Sequence, residues 1–240
     1  SKYMTEALER AVKDAKIAIF DGRRVTEIIT DKEKQTCRGV IAIDTDGNIE
    51  IFASVNVVYA VGGPSAVYAS SVYPESQTCS LGAAFLAGAA GINLTESQYG
   101  IASLKFRWNL SGSYQQVIPR YVSCNADGSD SREFLRAYFK SDTEMLRAVF
   151  RKGYEWPFDP SKIAEGAHSS IVDLAVYSER IAGRRVFMDF MHDPEYIAEN
   201  GLSPDTVGSD SYEYLTNCSA TVSTPVKRLR AMNDRAYKLY

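Results

Sequence analysis

Val57-Val58-Tyr59-Ala60-Val61-Gly62-Gly63-Pro64-Ser65 is the stretch on which the reading of this chain turns. An apolar run stops at a glycine pair and a proline, which predicts a buried strand opening into a tight turn. Beyond it, Ser80 to Gly91 reads Ser-Leu-Gly-Ala-Ala-Phe-Leu-Ala-Gly-Ala-Ala-Gly, a helix of small residues that a backbone or flat ligand can approach closely. Strand, glycine turn and small-residue helix in that order fit part of a nucleotide site. They also fit an ordinary helix packed on a sheet.

Around this stretch, 240 residues leave room for one large or two modest domains and ample apolar material for a core. The balance of 45% hydrophobic to 24% charged residues is that of a soluble globular protein. A net charge of -3, without a Lys/Arg block, argues against nucleic acid or a membrane surface as partner. No apolar run approaches the roughly 20 residues that span a bilayer. Met4 opens onto a charged helix, unlike a secretory signal. Cys37, Cys79, Cys124 and Cys218 are scattered without metal-type spacing. Reduced thiols, no metal site and a cytoplasmic location are therefore expected.

Upstream, Met4, Leu8, Ala11, Val12 and Ala15 recur at helical spacing and predict a helix from Tyr3 to Asp14. Ile17 to Phe20 and Val25 to Thr30 read as strands. Cys37 to Asp44 and Ile49 to Ser54 flank the hairpin signal Asp46-Gly47, so an antiparallel meander precedes the opening stretch. Downstream, Ser103 to Leu110 reads as extended and Ser111 to Arg120 as a binding or surface loop. Helices are expected over Glu133 to Lys140, Thr143 to Lys152 (with Asp142 as N-cap) and Ser169 to Ile181. Arg185 to Phe190 reads as a lone strand, and Asp193-Pro194-Glu195 as a helix start. Short helices follow over Ser209 to Leu215 and Val226 to Leu239, with Pro204, Gly208 and Pro225 as breaks. The fold class is α+β, with a domain boundary near Gly100.

Cys37-Arg38-Gly39-Val40-Ile41-Ala42, the meander, Ala60-Val61-Gly62-Gly63 and a small-residue helix ending Ala87-Gly88-Ala89 together resemble one family. It is that of the flavoprotein subunits of succinate dehydrogenase and fumarate reductase, with L-aspartate oxidase. The family's Thr-Gly-Asp-Gly helix start corresponds to Thr78-Cys79-Ser80-Leu81, and its Gln-Phe-His-Pro substrate segment to Gln98-Tyr99-Gly100. Arg185 to His192 resembles a strand of the family's capping domain. The resemblance implies an FAD-dependent oxidoreductase, with residues 1–100 a partial FAD-binding domain and 101–240 a mainly helical capping domain. Hydride would pass between the flavin and a small carboxylate-bearing or unsaturated substrate in a cleft between them, with an electron-transfer partner beyond.

Three features depart from the family. No Gly-x-Gly-x-x-Gly occurs before Lys16, so the chain reads as an internal fragment without the pyrophosphate cradle, unable to hold FAD tightly. The substrate-segment histidine falls at Gly100. The proton-donor arginine falls in Gly166-Ala167-His168-Ser169-Ser170, where none stands.

The candidate residues follow. By resemblance Val25, Ala60, Gly62, Gly63, Thr78 and Ser80 are cofactor-binding, the glycine pair by letting a cofactor approach the backbone. Gln98, Tyr99, Tyr114 and Gln115 are substrate-binding. His168 is a candidate acid or substrate clamp, or else a cap or surface residue. Arg120 is a candidate carboxylate anchor, or else an ordinary loop arginine. His192, at a strand-to-helix junction, reads as structural. Two other readings stay open. One is a non-catalytic binding module. The other is a flavin dehydrogenase for a larger steroid-like or aromatic substrate, lined by Tyr99, Phe106, Trp108, Tyr114 and Tyr121.

Overall fold

The structure is a computed structural model that describes residues 2–33, 36–62, 80–92, 94, 100–103, 109–155, 157–164 and 168–238. Helices and two antiparallel three-stranded sheets make the chain α+β. Its contacts divide it into two compact units, Ser1–Leu94 and Thr95–Tyr240.

In the first unit, helix α1 (Lys2–Asp14) is amphipathic, as its apolar spacing predicts. It closes with Ile17 N–H bonding Val12 O and Lys16 N–H bonding Lys13 O, around Lys16 at φ 53°. Strands β1 (Arg24–Thr30), β2 (Cys37–Ile43) and β3 (Ile49–Ala53) form the expected meander, in the order β1-β2-β3. The β2–β3 turn is built by Asp44, whose Oδ1 accepts from the N–H groups of Asp46 and Asn48 at 2.8 Å each. Helix α2 (Ser80–Leu86) lies against β1 and ends short of the predicted Gly91, closing at Gly88.

Two predicted strands are absent. Ile17 to Phe20 is irregular, although Phe20 packs edge-on against Phe52 with ring centroids 4.9 Å apart. The described part of the opening stretch, Val57 to Gly62, is neither a strand nor buried, and Val58 is 89% exposed. An apolar run becomes a strand only where a neighbour satisfies its backbone groups, and no strand pairs with this one among the described residues. Gly63, Pro64 and Ser65 lie outside the described residues.

The second unit holds the main core. Strand β4 (Arg120–Cys124) is central in the order β5-β4-β6, between β5 (Arg132–Glu133) and β6 (Arg185–Asp189). The predicted lone strand is thus paired, with Arg120 opposite Asp189 and Tyr121 opposite Met188. The segment read as a loop, Ser111 to Arg120, contains helix α3 (Ser113–Gln116), then the buried Val117-Ile118-Pro119, and ends in β4. Leu135–Tyr138 is a 3-10 turn where a longer helix was expected.

Helix α4 (Asp142–Arg151) buries Met145, Leu146, Ala148, Val149 and Phe150. Its N-cap is Ser141, whose hydroxyl accepts from Glu144 N–H at 3.2 Å, so Asp142 belongs to the first turn instead. Helix α5 (Pro160–Ile163) is short, and α6 (Ser170–Ile181) packs beside it. Helices α7 (Glu195–Asn200), α8 (Pro204–Val207), α9 (Ser209–Asn217) and α10 (Pro225–Lys238) complete the unit. Pro204, read as a break, begins α8 under a Ser203–Thr206 capping box.

Leu146, Val149, Phe150, Tyr121, Val172, Ile197 and Leu215 belong to one core cluster. Each such side chain contributes about 1.5–3 kcal/mol by leaving water. Helix α10 is tied down by the fully buried Arg228. Its guanidinium donates to Val117 O at 2.8 Å, Val222 O at 3.1 Å and Asp193 Oδ1 at 2.6 Å.

Candidate functional site

In the second unit the ends of β4 and β6 gather three of the candidate residues. Arg120 opens β4, and its Nε donates to Glu133 Oε1 at 2.6 Å. Its NH2 donates to Glu195 Oε1 at 3.2 Å, and its NH1 stands 4.0 Å from Asp189 Oδ2. The Glu133 hydrogen bond raises the pKa of this guanidinium, with burial opposing. Three carboxylates therefore surround the arginine. Tyr114, on α3, packs edge-on against Phe190 at 6.2 Å. Gln115 is fully buried. Its amide donates to Leu110 O at 2.6 Å and to Met188 Sδ at 3.7 Å, and accepts from Tyr121 OH at 2.7 Å. The residues gather, but Gln115 presents no surface and Arg120 is already paired.

At the same strand end, Asp189 accepts at Oδ1 from the N–H groups of Met191 (2.7 Å) and His192 (3.3 Å). Its Oδ2 lies 2.8 Å from His192 Nδ1. Burial opposes ionisation of Asp189, but the hydrogen bonds outweigh it and hold the carboxyl below its usual range. His192, read from sequence as structural, has a side chain 72% exposed.

His168 stands at the start of α6. Its Nδ1 accepts from Ser170 N–H at 3.2 Å, and its Nε2 lies 3.3 Å from Glu155 Oε2, a buried oxygen without a hydrogen bond. Both ring nitrogens thus face protein groups. Behind it, Lys152 is buried with an ion pair to Asp173 in the first turn of α6, and its Nζ donates to Glu155 O at 3.3 Å. Ser169 Oγ donates to the same carbonyl at 3.1 Å. Burial lowers the Lys152 pKa, and burial pushes Asp173 up to about 6 against the pull of Lys152.

Of the cofactor-binding candidates, Val25 lies in β1 at a register shift between Val25 and Glu27. Ala60 and Gly62 are exposed, with Gly62 at φ 87°. Ser80 begins α2. Gly63, Thr78, Gln98 and Tyr99 lie outside the described residues, as do Phe106 and Trp108. Beside Val25, the residues Gly22, Arg23, Arg24, Ile43, Asp44 and Thr45 line an open depression of about 550 Å³. Arg23 is engaged there by Glu50 through two hydrogen bonds, of 2.9 and 3.1 Å.

An exposed glycine at positive φ lets a cofactor approach its backbone, and the irregularity at Val25 suits a contact through main-chain atoms. The chain is thus open to a ligand through its backbone at Gly62, and the sequence offers no phosphate cradle with it.

Sequence reasoning missed Lys152, Glu155, Asp173 and the pairing of Asp189 with His192. The first had a legible signal, since Lys152 falls one heptad beyond Met145 on the apolar stripe of α4. Among the described residues no group of three or more His, Cys, Asp or Glu side chains is placed to hold a metal ion. Nor is any helix among them long and apolar enough to cross a membrane. No protein-family profile, no curated protein and no solved structure compared with the chain matches it.

Proposed function

We propose that this chain is part of an FAD-dependent oxidoreductase of the succinate dehydrogenase and fumarate reductase type. The observation that carries the reading is the antiparallel meander β1-β2-β3 followed by the small-residue helix α2 against β1, the order that the sequence resemblance requires. Val25, Ala60 and Gly62, with Gly63, Thr78 and Ser80, would hold the flavin edge. Bound flavin supplies hydride transfer to or from a small unsaturated or carboxylate-bearing molecule. The chain's own residues orient that molecule and move the proton.

The test is to produce the gene product that contains this chain and measure the flavin released on denaturation. Stoichiometric FAD is expected, and Gly62→Val is expected to abolish it, because a β-branched side chain is strained at φ 87° and blocks the approach. A protein that carries no flavin and takes up none from solution would sink the reading.

One observation favours the second reading, a non-catalytic binding module. Arg120 is paired with Glu133 and Glu195 and stands near Asp189, so it has no vacant fork for a substrate carboxylate. Flavin uptake without turnover of any carboxylate substrate would decide for the module.

A further inference from the structure

We propose that the β1-β2-β3 sheet binds a medium-chain carboxylate, with its head on Arg24 and its hydrocarbon chain over Ile43, Ile49 and Ile51. Strand register brings these groups together. Arg24 stands opposite Ile43 and Ile43 opposite Ile49, so the three form one row across a single face of the sheet. The next row on that face is Glu27, Ile41 and Ile51. Ile43, Ile49 and Ile51 are exposed, and the depression of about 550 Å³ lies against Arg24 and Ile43.

The other charges of the depression are already engaged. Val25, Ala42 and Glu50 form a row on the opposite face, because side chains alternate along a strand. Arg23 turns its fork to Glu50, donating to both carboxylate oxygens. Asp44 serves its own turn, with Oδ1 taken by the N–H groups of Asp46 and Asn48 and Oδ2 by the Asn48 amide at 3.0 Å. Arg24 is exposed and has no hydrogen-bond or ion-pair partner among the described residues. A solvated arginine would explain that guanidinium alone. It would not explain the isoleucines that continue its row, where a sheet face turned to water normally carries polar residues.

The chemistry of the row selects the ligand. A planar carboxylate matches the guanidinium fork with two hydrogen bonds. Asp44 in the depression and Glu27 in the next row disfavour a multiply charged head such as a phosphate monoester. The body must be apolar because it meets isoleucine. From Arg24 to Ile49 is two strand spacings, about 10 Å, the length of an extended chain of about eight carbons. Neither group needs a flavin, so this site stands whether or not FAD binds.

The chain is titrated with octanoate, with acetate as the head alone, with octanol as the tail alone and with inorganic phosphate, while backbone amide shifts are followed by NMR. Octanoate is expected to give saturating shifts at Arg24, Ile43, Ile49 and Ile51, to leave Arg120–Cys124 unmoved, and to bind at least about tenfold more tightly than the other three. Arg24→Gln is expected to weaken octanoate at least about tenfold and leave octanol unchanged. Ile49→Ser is expected to weaken octanoate and leave acetate unchanged. Both side chains are exposed, and the amides of β2 report whether the sheet is retained. Octanol or phosphate binding as tightly as octanoate, no effect of Arg24→Gln, or shifts that never saturate overturns the proposal. Sedimentation supplies one more outcome: a dimer that shields Ile49 and Ile51 and that octanoate does not dissociate gives the face to a second copy and also overturns it. FAD uptake by a chain that ignores octanoate overturns this site and leaves the flavin reading standing; octanoate binding without FAD uptake does the reverse.

Discussion

Lys152 and Asp173 show what a buried charge pair costs. The lysine side chain is 1% exposed, and its partner is pushed from an ordinary 3.8 to about 6 by burial. Both shifts disfavour the charged forms, so desolvation outweighs the mutual attraction. The sign for Asp173 follows from linkage. Its folded pKa lies above the unfolded one, so its stabilisation is complete below about pH 4 and lost as pH rises through about 6. A shift of about two units corresponds to about 3 kcal/mol. Lys152→Met combined with Asp173→Leu is expected to leave stability at neutral pH unchanged or raise it by about 1–4 kcal/mol, and to remove the slope between about pH 4 and 6. Asp173→Ala alone, which removes the ion-pair partner of the buried ammonium, is expected to lose about 3–5 kcal/mol. Urea denaturation across that pH range measures all three. A slope that survives in the double variant would assign it to other carboxylates. This part of the site was only half legible. A lysine on an apolar stripe announces burial, but Asp173 lies in a helix that only the fold brings alongside.

The helices of the second unit were legible because apolar spacing and caps act within a few residues. Strand pairing is not local, and there the reading failed in both directions. Val57 to Val61 has the composition of a buried strand but pairs with no strand among the described residues, whereas the central strand Arg120 to Cys124 follows a Ser-, Gly- and Gln-rich segment, Ser111 to Gln116, that reads as a loop. The meander was legible because Asp46-Gly47 marks its turn locally. Its register rests on Gly39, at φ 142° opposite Ala53. A Cβ built there would lie 2.0 Å from Phe52 O, a backbone atom of the paired strand. Gly39→Ala must therefore separate β2 from β3 or shift their register, which moves alternate side chains to the opposite face. The expected loss is at least about 1–3 kcal/mol, read as faster amide exchange over Cys37–Ile43 and Ile49–Ala53 with β4 and β6 unaffected. Unchanged exchange in those strands would show that the backbone relaxes without cost.

At the scale of the whole chain the two units are unequal in what holds them. Ala42 is the one fully buried apolar side chain described before Leu94, while all the others described lie between Val117 and Pro225. Ile49 and Ile51 on β3 are 71% and 69% exposed, and Met4 and Leu8 on α1 are 63% and 59% exposed. A unit of that size normally needs a packed core to offset its conformational entropy, at about 1–2 kcal/mol per residue for the backbone alone. Hydrogen bonds of the meander contribute roughly 1 kcal/mol each and do not substitute for it. The chain is therefore expected to unfold in two steps. Amides of Arg24–Thr30 and Cys37–Ile43 should lose their protection at low urea, and those of Arg120–Cys124 and Arg185–Asp189 only at higher urea. Exchange measured residue by residue against urea separates the steps, and a single transition common to both sheets would refute unequal units. Ligand linkage then connects stability to function. A flavin held, as proposed, by Val25, Ala60 and Gly62 would stabilise the unit it touches, by about 2.7 kcal/mol at a hundredfold excess over its Kd. Added FAD is expected to move the first transition to higher urea and leave the second where it was; a shift confined to the second would place the ligand in residues 95–240 instead.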